Sequence, residues 1–201
     1  MRATISIGVL VLFLGSARYS EASPHDIPWL SLAPEVGYVF FKKGELEKTY
    51  HAEVPTRHGF VLKGHADLGG DYGALELAPL YTRQSAGGLV GKLNGVGGEV
   101  TLVYRHPSGP FHPGIGIGFH GVFYTPNDNI QKGVDIMARA PLGVTYYFAR
   151  YLGLVLEVGM MIGTTGIQFE ADDNPVRYNL SDKMEYALVF GVDILIGLRF
   201  P

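Results

Sequence analysis

The stretch YALVFGVDILIGLRF, Tyr186 to Phe200, contains two alternating sets of side chains with different chemistry. Every even-numbered residue in it is large and apolar, whereas the odd-numbered set includes two glycines, Asp193 and Arg199. Successive side chains of a β-strand point to opposite faces, so one face of this strand is apolar and the other carries an acid and a base. A strand with lipid outside and a packed polar lumen inside has this pattern.

The amino terminus has the features of a cleavable secretory signal. Arg2 precedes the apolar stretch Ile5–Leu14, and small and polar residues then lead to Ala22. The apolar stretch is shorter than the roughly 20 residues that a membrane-spanning helix needs, which disfavours the alternative of an uncleaved anchor. We therefore expect a signal peptide at 1–22 and one domain at 23–201.

The composition favours a β-rich membrane protein. The chain of 201 residues has no cysteine, 28 glycines, 12 tyrosines and 11 phenylalanines, and only 17% of its residues are charged. A formal net charge of −3 does not suggest a nucleic-acid partner, which would favour a basic face. Beyond the predicted signal there is no long uninterrupted apolar run, so a membrane crossing would have to use strands.

Seven further segments show the same two-residue alternation as the last one. The eight apolar stripes run from residue 30 to 40, 60 to 68, 73 to 81, 96 to 104, 111 to 123, 134 to 148, 152 to 162 and 186 to 200. Pro34 and Pro79 weaken the first and third assignments, because proline cannot donate to a strand ladder. The connections alternate between tight turns, at 69–71, 106–110 and 149–150, and longer polar loops, at 42–57, 84–92, 125–133 and 167–183. Outer-membrane barrels have short periplasmic turns and longer outer loops, so the fold class predicted is an all-β, eight-stranded antiparallel up-and-down transmembrane barrel.

The outward aromatic residues fall into two bands once strand directions are assigned. Such bands are the interfacial girdles of membrane barrels, and a soluble sandwich predicts none. The band at the short-turn end contains Tyr72, Tyr104, Phe111, Tyr146, Phe148 and Phe200, and the band at the long-loop end contains Tyr38, Phe40, Phe60, Tyr81, Phe123 and Tyr186.

Two segments resemble the small outer-membrane barrel families that include the OmpA transmembrane domain, OmpX and the opacity-type proteins. One is PLGVTYYFARYLGLVLEVG, residues 141–159, which reads as strand, tight turn and strand. The other is the last strand, whose Tyr186, Phe190, Leu198 and Phe200 are similar to the signal recognised by the barrel-assembly machinery. That signal usually ends on the aromatic residue, whereas Pro201 follows it here. The resemblance implies a monomer in the bacterial outer membrane, in contact with outer-membrane lipid and lipopolysaccharide.

The stripe opposite the apolar one collects most of the ionisable residues and should face the lumen. It contains Glu35, Lys63, His65, Asp67, Glu76, Glu99, Arg105, His112, His120, Asp135, Arg139, Glu157, Asp193 and Arg199. An eight-stranded barrel is just wide enough to be filled by side chains, so we expect a paired network that plugs the lumen. Seven carboxylates face only four Lys or Arg in this set. The shortfall predicts protonated histidines, neutral carboxylates or water in the lumen.

The lumen stripe suggests no cofactor and no metal site. Gly114, Gly116 and Gly118 make one inner face small, which leaves room either for large side chains such as Arg105, Arg139 or Tyr147 or for a ligand. His112 and His120 share that strand, but eight residues of extended chain, at about 3.3 Å each, keep them too far apart for one ion. We therefore expect the histidines to hydrogen-bond to lumen carboxylates.

These features favour a non-enzymatic, structural or surface-interaction role, in which rigid strands present loops to a surface ligand. Three alternatives remain: a narrow pore for ions or small solutes, a lipid A-modifying barrel enzyme, and a soluble lipocalin-like barrel with an apolar interior. An enzyme needs a nucleophile next to a base. The serines, including Ser85, are predicted mostly in turns or loops, none of them on a lipid-facing stripe beside a histidine, and the His-x-Ser motif of the lipid A deacylases is absent.

Overall fold

Eight long strands form a closed antiparallel barrel in the computed structural model of the chain. The structure describes residues 30–42, 44–45, 53–54, 56–70, 72–86, 91–106, 108–126, 130–169 and 185–200. The barrel strands are β1 (Leu30–Phe41), β4 (Arg57–Gly69), β5 (Gly73–Ala86), β6 (Lys92–Arg105), β7 (Phe111–Tyr124), β8 (Ile130–Ala149), β9 (Leu152–Phe169) and β10 (Glu185–Arg199), and β1 closes the barrel by pairing with β4 and β10. This confirms the predicted fold class. The predicted signal peptide, 1–22, lies outside the described residues.

The strands are staggered as well as closed. Ladder partners followed once around the barrel from Ser31 return to β1 at Phe41, an offset of ten residues (31 to 41). Such a stagger tilts the strands against the barrel axis. A row of ladder partners therefore climbs from the short-turn end toward the long-loop end, and it brings residues from different parts of each strand to neighbouring places in the lumen.

The two faces of each strand have the predicted polarity. On β10 the apolar side chains from Tyr186 to Phe200 are exposed on the outer wall, whereas Asp193, Leu195 and Arg199 are buried inside. The burial patterns of β1 and β4 to β7 alternate in the same way. An apolar exterior around a lumen rich in charged groups excludes the lipocalin-like alternative, which needs the opposite polarity. None of the described residues forms a helix that is long and apolar enough to cross a membrane.

The strand ends differ from the prediction mainly on the long-loop side. β4 begins at Arg57, β5 continues to Ala86, β8 begins at Ile130 and β9 continues to Phe169, so each of these strands takes residues that were assigned to loops. The first loop also contains a small antiparallel sheet of β2 (Gly44–Glu45) and β3 (Glu53–Val54). Inward polar residues such as Arg57 and Gln84 lie among inward apolar ones at these ends, so the alternation of polar and apolar residues is weak there.

Both doubtful prolines lie within strands and on the outer wall. Pro34 lies opposite Gly64 in the ladder between β1 and β4. Pro79 lies in β5, where the ladder to β4 is interrupted between the pairs Lys63↔Leu80 and Ala66↔Leu77. Pro34 in turn lies outside the ladder to β10, which begins at the pair Glu35↔Gly197. A missing donor is tolerated at both places, so the two proline-containing strands are confirmed.

The aromatic bands are where the sequence places them. At the short-turn end Tyr72, Tyr104 and Phe111 are exposed on the outer wall, and at the long-loop end Tyr38 and Phe123 are exposed in the same way. Phe111 and Tyr146 are ladder neighbours, and their rings pack at 4.7 Å between centroids with a tilt of 32°. The remaining members of both bands also lie on outward positions.

Candidate functional site: the barrel interior

The interior contains every ionisable residue that the sequence analysis placed there. All fourteen predicted side chains, from Glu35 to Arg199, are buried. The sequence missed Arg57, which is completely buried at the long-loop end although it was assigned to a loop. The described lumen therefore holds seven carboxylates and five Lys or Arg.

Arg139 is the centre of the largest ion-pair cluster. Its guanidinium donates to Glu99 (Nη1–Oε1 3.0 Å), to Glu157 (Nη2–Oε1 2.7 Å) and twice to Asp193 (Nη2–Oδ1 2.7 Å and Nε–Oδ2 3.0 Å). Lys63 approaches Glu99 at 2.9 Å and Glu157 at 4.0 Å. These residues come from β4, β6, β8, β9 and β10, so the cluster connects strands across the lumen. Charge-assisted bonds of this number satisfy a buried guanidinium well.

A second cluster lies nearer the short-turn end. Arg105 pairs with Glu76 and, at 3.0 Å, with Asp67. Arg199 approaches the same two carboxylates at 3.4 Å and 3.1 Å. Ser31 also donates to Asp67 at 2.9 Å. Two arginines thus share two carboxylates, which leaves this pair of acids electrically compensated.

His65 connects the two clusters. Its Nδ1 lies 3.3 Å from Oε2 of Glu76, and its Nε2 lies 3.0 Å from Oε2 of Glu35. The ligand atoms of Glu35, His65 and Glu157 all lie within 4.8 Å of one another, as do those of His65, Asp67 and Glu76. His65 thus lies against lumen carboxylates, but its ring nitrogens do not meet hydrogen-bond geometry, so the predicted hydrogen bonds are not seen there. Spacing along one strand could not reveal that these three groups converge.

A third polar group surrounds Arg57. Its guanidinium donates to Thr165 (Nη2–Oγ1 2.8 Å) and pairs with Asp135 at 3.2 Å, and Tyr124 donates to the same carboxylate. The guanidinium also lies 4.7 Å from the ring centroid of Phe41, within cation–π range. Asp135 is therefore paired with a residue that the sequence analysis had placed outside the barrel.

An apolar layer fills the long-loop half of the lumen around this group. Its buried members are Val39, Phe41, Leu80, Leu93, Val122, Tyr124, Met137, Met161, Ile167, Ala187 and Val189. The prediction of a polar lumen is therefore correct for the short-turn half and wrong for much of the other half. The signal was present in the sequence, because the inward positions of the strand ends near the loops are apolar as well as the outward ones.

Inward glycines make room for large partners on neighbouring strands. A Cβ at Gly114 would lie 3.3 Å from Cγ of Arg105, which supports the packing interpretation of the small face of β7. The space for Arg139 is provided elsewhere, since a Cβ at Gly159 would approach its guanidinium to 2.4 Å. Tyr147 likewise packs over Gly153.

His112 and His120 contact different parts of the interior. The His112 ring packs edge-on against Tyr147 at 4.9 Å between centroids, and its Nε2 lies 3.2 Å from the carbonyl oxygen of Gly109. His120 Nδ1 lies 3.5 Å from Glu99. The two histidines are thus parts of separate contacts.

One serine lies closer to a histidine than predicted. Ser85 is on the outer wall of β5 at the long-loop end, in register with His58 of β4, which also points outward. The His58 ring, however, is engaged by the Tyr38 hydroxyl on the other side, at its Nδ1. The prediction that no serine lies beside a lipid-facing histidine is therefore wrong, because Ser85 and His58 are cross-strand neighbours. The hydrogen bond that the structure shows for His58, however, is with Tyr38.

Comparison with solved structures places the fold among small outer-membrane barrels. The outer membrane protein OprG from Pseudomonas aeruginosa has a TM-score of 0.55 and 14% identity over 85% of this chain and 94% of its own. Neisserial surface protein A scores 0.51 with 13% identity, over 86% of this chain and 97% of its own. The outer membrane protein AlkL, determined in lipid bilayers, scores 0.51 with 12% identity, over 85% and 89%. No protein-family model and no curated protein matches the sequence.

The likeness to these proteins and the polarity of the wall define the class of protein. The chain is a closed eight-stranded transmembrane β-barrel of the outer-membrane type, with an apolar outer wall and a filled interior. At these identities the comparison concerns the fold, and the role of this barrel has to be argued from its own residues.

Proposed function

We propose that the protein is an outer-membrane scaffold whose role is structural or interactional: it supports the envelope or presents its long loops to a surface partner. The observation that carries the proposal is the filled interior. Side chains as large as Arg57, Arg139, Phe41, Leu93 and Met137 are almost completely buried inside the barrel. A barrel with such an interior offers its wall and its connections, rather than its lumen, for function.

The interior is filled by two kinds of layer, and each argues against a conducting pore. In the short-turn half, Arg139 and its three carboxylates form direct ion pairs across the lumen. In the long-loop half, the apolar layer around Phe41 removes the polar lining that a hydrated path requires. A permeating ion would have to break the ion pairs and also cross an apolar layer, where an unpaired charge is very costly.

The outer wall supports the proposed membrane partners. Large apolar side chains cover all eight strands, and outer-membrane lipid and lipopolysaccharide would surround them in the proposed location. On β10 the side chains of Tyr186, Phe190, Leu198 and Phe200 all face outward, where the assembly machinery could read them before insertion. We propose a monomer, because a closed barrel leaves no unpaired strand edge for association.

Planar-bilayer recordings of the purified full chain test the closed interior. We expect no discrete channel openings. Regular openings of one size, retained after a second purification step, would contradict a plugged lumen and favour the narrow pore.

Loop replacement separates the two scaffold roles. In one variant the residues 170–184 are replaced by a short turn, while the described part of β9 and β10 is kept. If this variant restores detergent resistance to cells that lack the protein, the barrel itself supports the envelope. If it restores resistance poorly and cells also lose attachment to surfaces, the loop carries the function. Unchanged resistance and unchanged attachment in cells without the protein would overturn the proposal.

A further inference from the structure

Glu35 is a buried carboxylate with an incomplete set of partners. It is 3% exposed, and no Lys or Arg among the described residues lies within 4.0 Å of its carboxylate. The basic group near it is His65, whose Nε2 lies 3.0 Å from Oε2 of Glu35. Neither oxygen of Glu35 and neither ring nitrogen of His65 makes a hydrogen bond of acceptable geometry with the described residues. Buried polar groups in this state are rare and call for an additional partner.

The charge of the described interior points to a cation. Seven buried carboxylates face five buried Lys or Arg, which leaves an excess of two negative charges. The cluster of Asp67 and Glu76 with Arg105 and Arg199 is balanced, so the excess belongs to Glu35 and to the acids around Arg139. A proton on His65 would offset one of the two charges, whereas a divalent cation would offset both.

Glu157, together with Glu35 and His65, makes up a set of three possible metal ligands around the place where that cation would lie. Ligand atoms of Glu35, His65 and Glu157 lie within 4.8 Å of one another. A zinc ion with bonds of roughly 2.0 to 2.1 Å needs ligand atoms about 3.4 Å apart, so these atoms would draw closer by at most roughly 1.4 Å (4.8 − 3.4) on binding. One imidazole and two carboxylates favour a divalent transition metal over Ca²⁺ or Mg²⁺, which prefer oxygen ligands alone.

The surroundings of His65 also suit a metal ligand. Its Nδ1 lies 3.3 Å from Glu76, so an N–H at Nδ1 would leave the Nε2 lone pair directed toward Glu35. Metal-binding histidines commonly have a carboxylate on the other ring nitrogen. Glu76 and Glu157 also line a small cavity of about 20 Å³ near the short-turn end, together with Arg105 and Arg199. A polar cavity of this size has room for one water molecule or one small ion.

We propose that Glu35, His65 and Glu157 bind one divalent transition metal inside the barrel. The ion would join β1, β4 and β9 across the lumen and would act as a clamp on the folded barrel. The sequence does not predict this site, because its ligands come from three different strands. The distance along one strand, which keeps His112 and His120 from sharing an ion, says nothing about residues on different strands. The proposal is independent of the scaffold role and adds a ligand to the interior.

Zinc binding by the full chain, folded in detergent and stripped of metal with a chelator, tests the site. Zn²⁺ alone is the probe, and bound metal per chain is measured by mass spectrometry after gel filtration. We expect one zinc per chain, and we expect zinc to raise the urea concentration at which the barrel unfolds. His65→Gln should weaken binding at least tenfold, whereas His112→Gln, which changes another buried histidine of the interior, should bind like the unchanged chain.

Two further measurements keep the test decisive if His65→Gln does not fold. Glu76→Gln keeps all three ligands and should weaken zinc binding roughly 10- to 100-fold through the orientation of His65. X-ray absorption of the zinc-loaded, unchanged chain should show one imidazole among oxygen ligands. The proposal is overturned if the unchanged chain retains no zinc, if His65→Gln retains it fully, or if the bound ion has no imidazole ligand. A urea midpoint that responds to His65→Gln but not to zinc would show that His65 stabilises the barrel without a metal, and it would also overturn the proposal.

Discussion

Replacing Arg139 by methionine should remove the strongest cross-lumen connection without changing the outer wall. The guanidinium is buried and serves Glu99, Glu157 and Asp193 through four contacts of 2.7 to 3.0 Å. After the change, Lys63 still lies 2.9 Å from Glu99 and 4.0 Å from Glu157, but Asp193 keeps no Lys or Arg within 4.0 Å among the described residues.

The expected cost follows from that count of partners. Removing one member of a buried ion pair typically costs 3 to 5 kcal/mol, because the other charge stays buried without compensation. In this variant Asp193 has no Lys or Arg partner among the described residues, and Glu99 and Glu157 share Lys63. We therefore expect the free energy of unfolding to fall by about 4 kcal/mol. Adding Asp193→Asn to the Arg139→Met chain removes the negative charge that has lost its partner. The double variant should regain about 2 kcal/mol in the free energy of unfolding, within the range of measured couplings between contacting residues.

Urea titration of the barrel folded in detergent measures both numbers. The folded fraction is read from gel mobility with and without heating, since we expect a closed barrel to resist detergent and to migrate differently until it is boiled. A loss below about 1 kcal/mol, the size seen for exposed ion pairs, would mean that water already solvates these acids. That result, or no recovery with Asp193→Asn, would refute a lumen plugged by direct ion pairs and would favour the narrow pore.

Three further changes test the packing, the facing and the assembly signal. Gly159→Ala should destabilise the barrel by about 1 to 3 kcal/mol in urea titration, because its Cβ would meet a buried ion pair at 2.4 Å, whereas Gly64→Ala, with no atom within 4 Å of its Cβ, should be neutral. Ile194→Arg on the outer wall of the middle of β10 should cost about 2 to 4 kcal/mol, but Tyr186→Arg on the same wall near the loop end only about 0 to 1; equal costs would contradict a bilayer midplane near Ile194. Phe200→Ala should lower the amount of heat-modifiable barrel recovered from cell envelopes while leaving refolding in detergent unchanged, and a parallel loss in both would point to stability instead of assembly.

The sequence predicted the barrel because the two-residue period is strong wherever one face meets lipid. The apolar stripe of β10 is uninterrupted from Tyr186 to Phe200, and its opposite stripe contains Asp193 and Arg199. All fourteen inward ionisable residues follow from that single alternation, and all are buried. A facing argument needs only local pattern, so it succeeds from one chain.

The partners inside the lumen could not be predicted, since they depend on the stagger of the barrel. Arg57 pairs with Asp135 of β8, and His65 meets Glu35 of β1 and Glu157 of β9. Each pairing requires the registers of several ladders at once, whereas the alternation fixes only which face a residue occupies. The apolar layer at the loop end was missed for another reason: inward apolar residues such as Phe41 blur the contrast on which the facing argument depends.

The interior is therefore asymmetric along the barrel axis, and the asymmetry has a physical consequence. In the apolar half, Arg57 and Asp135 are matched one to one and further satisfied by Thr165 and Tyr124, as a dry environment demands. In the other half the acids outnumber the bases, and this is also the half that contains the small cavity next to Glu157. An unbalanced set of charges can persist only where an ion, a proton or water can reach it. If the proposed site binds its ion, the apolar layer on the long-loop side would keep that ion from crossing the barrel.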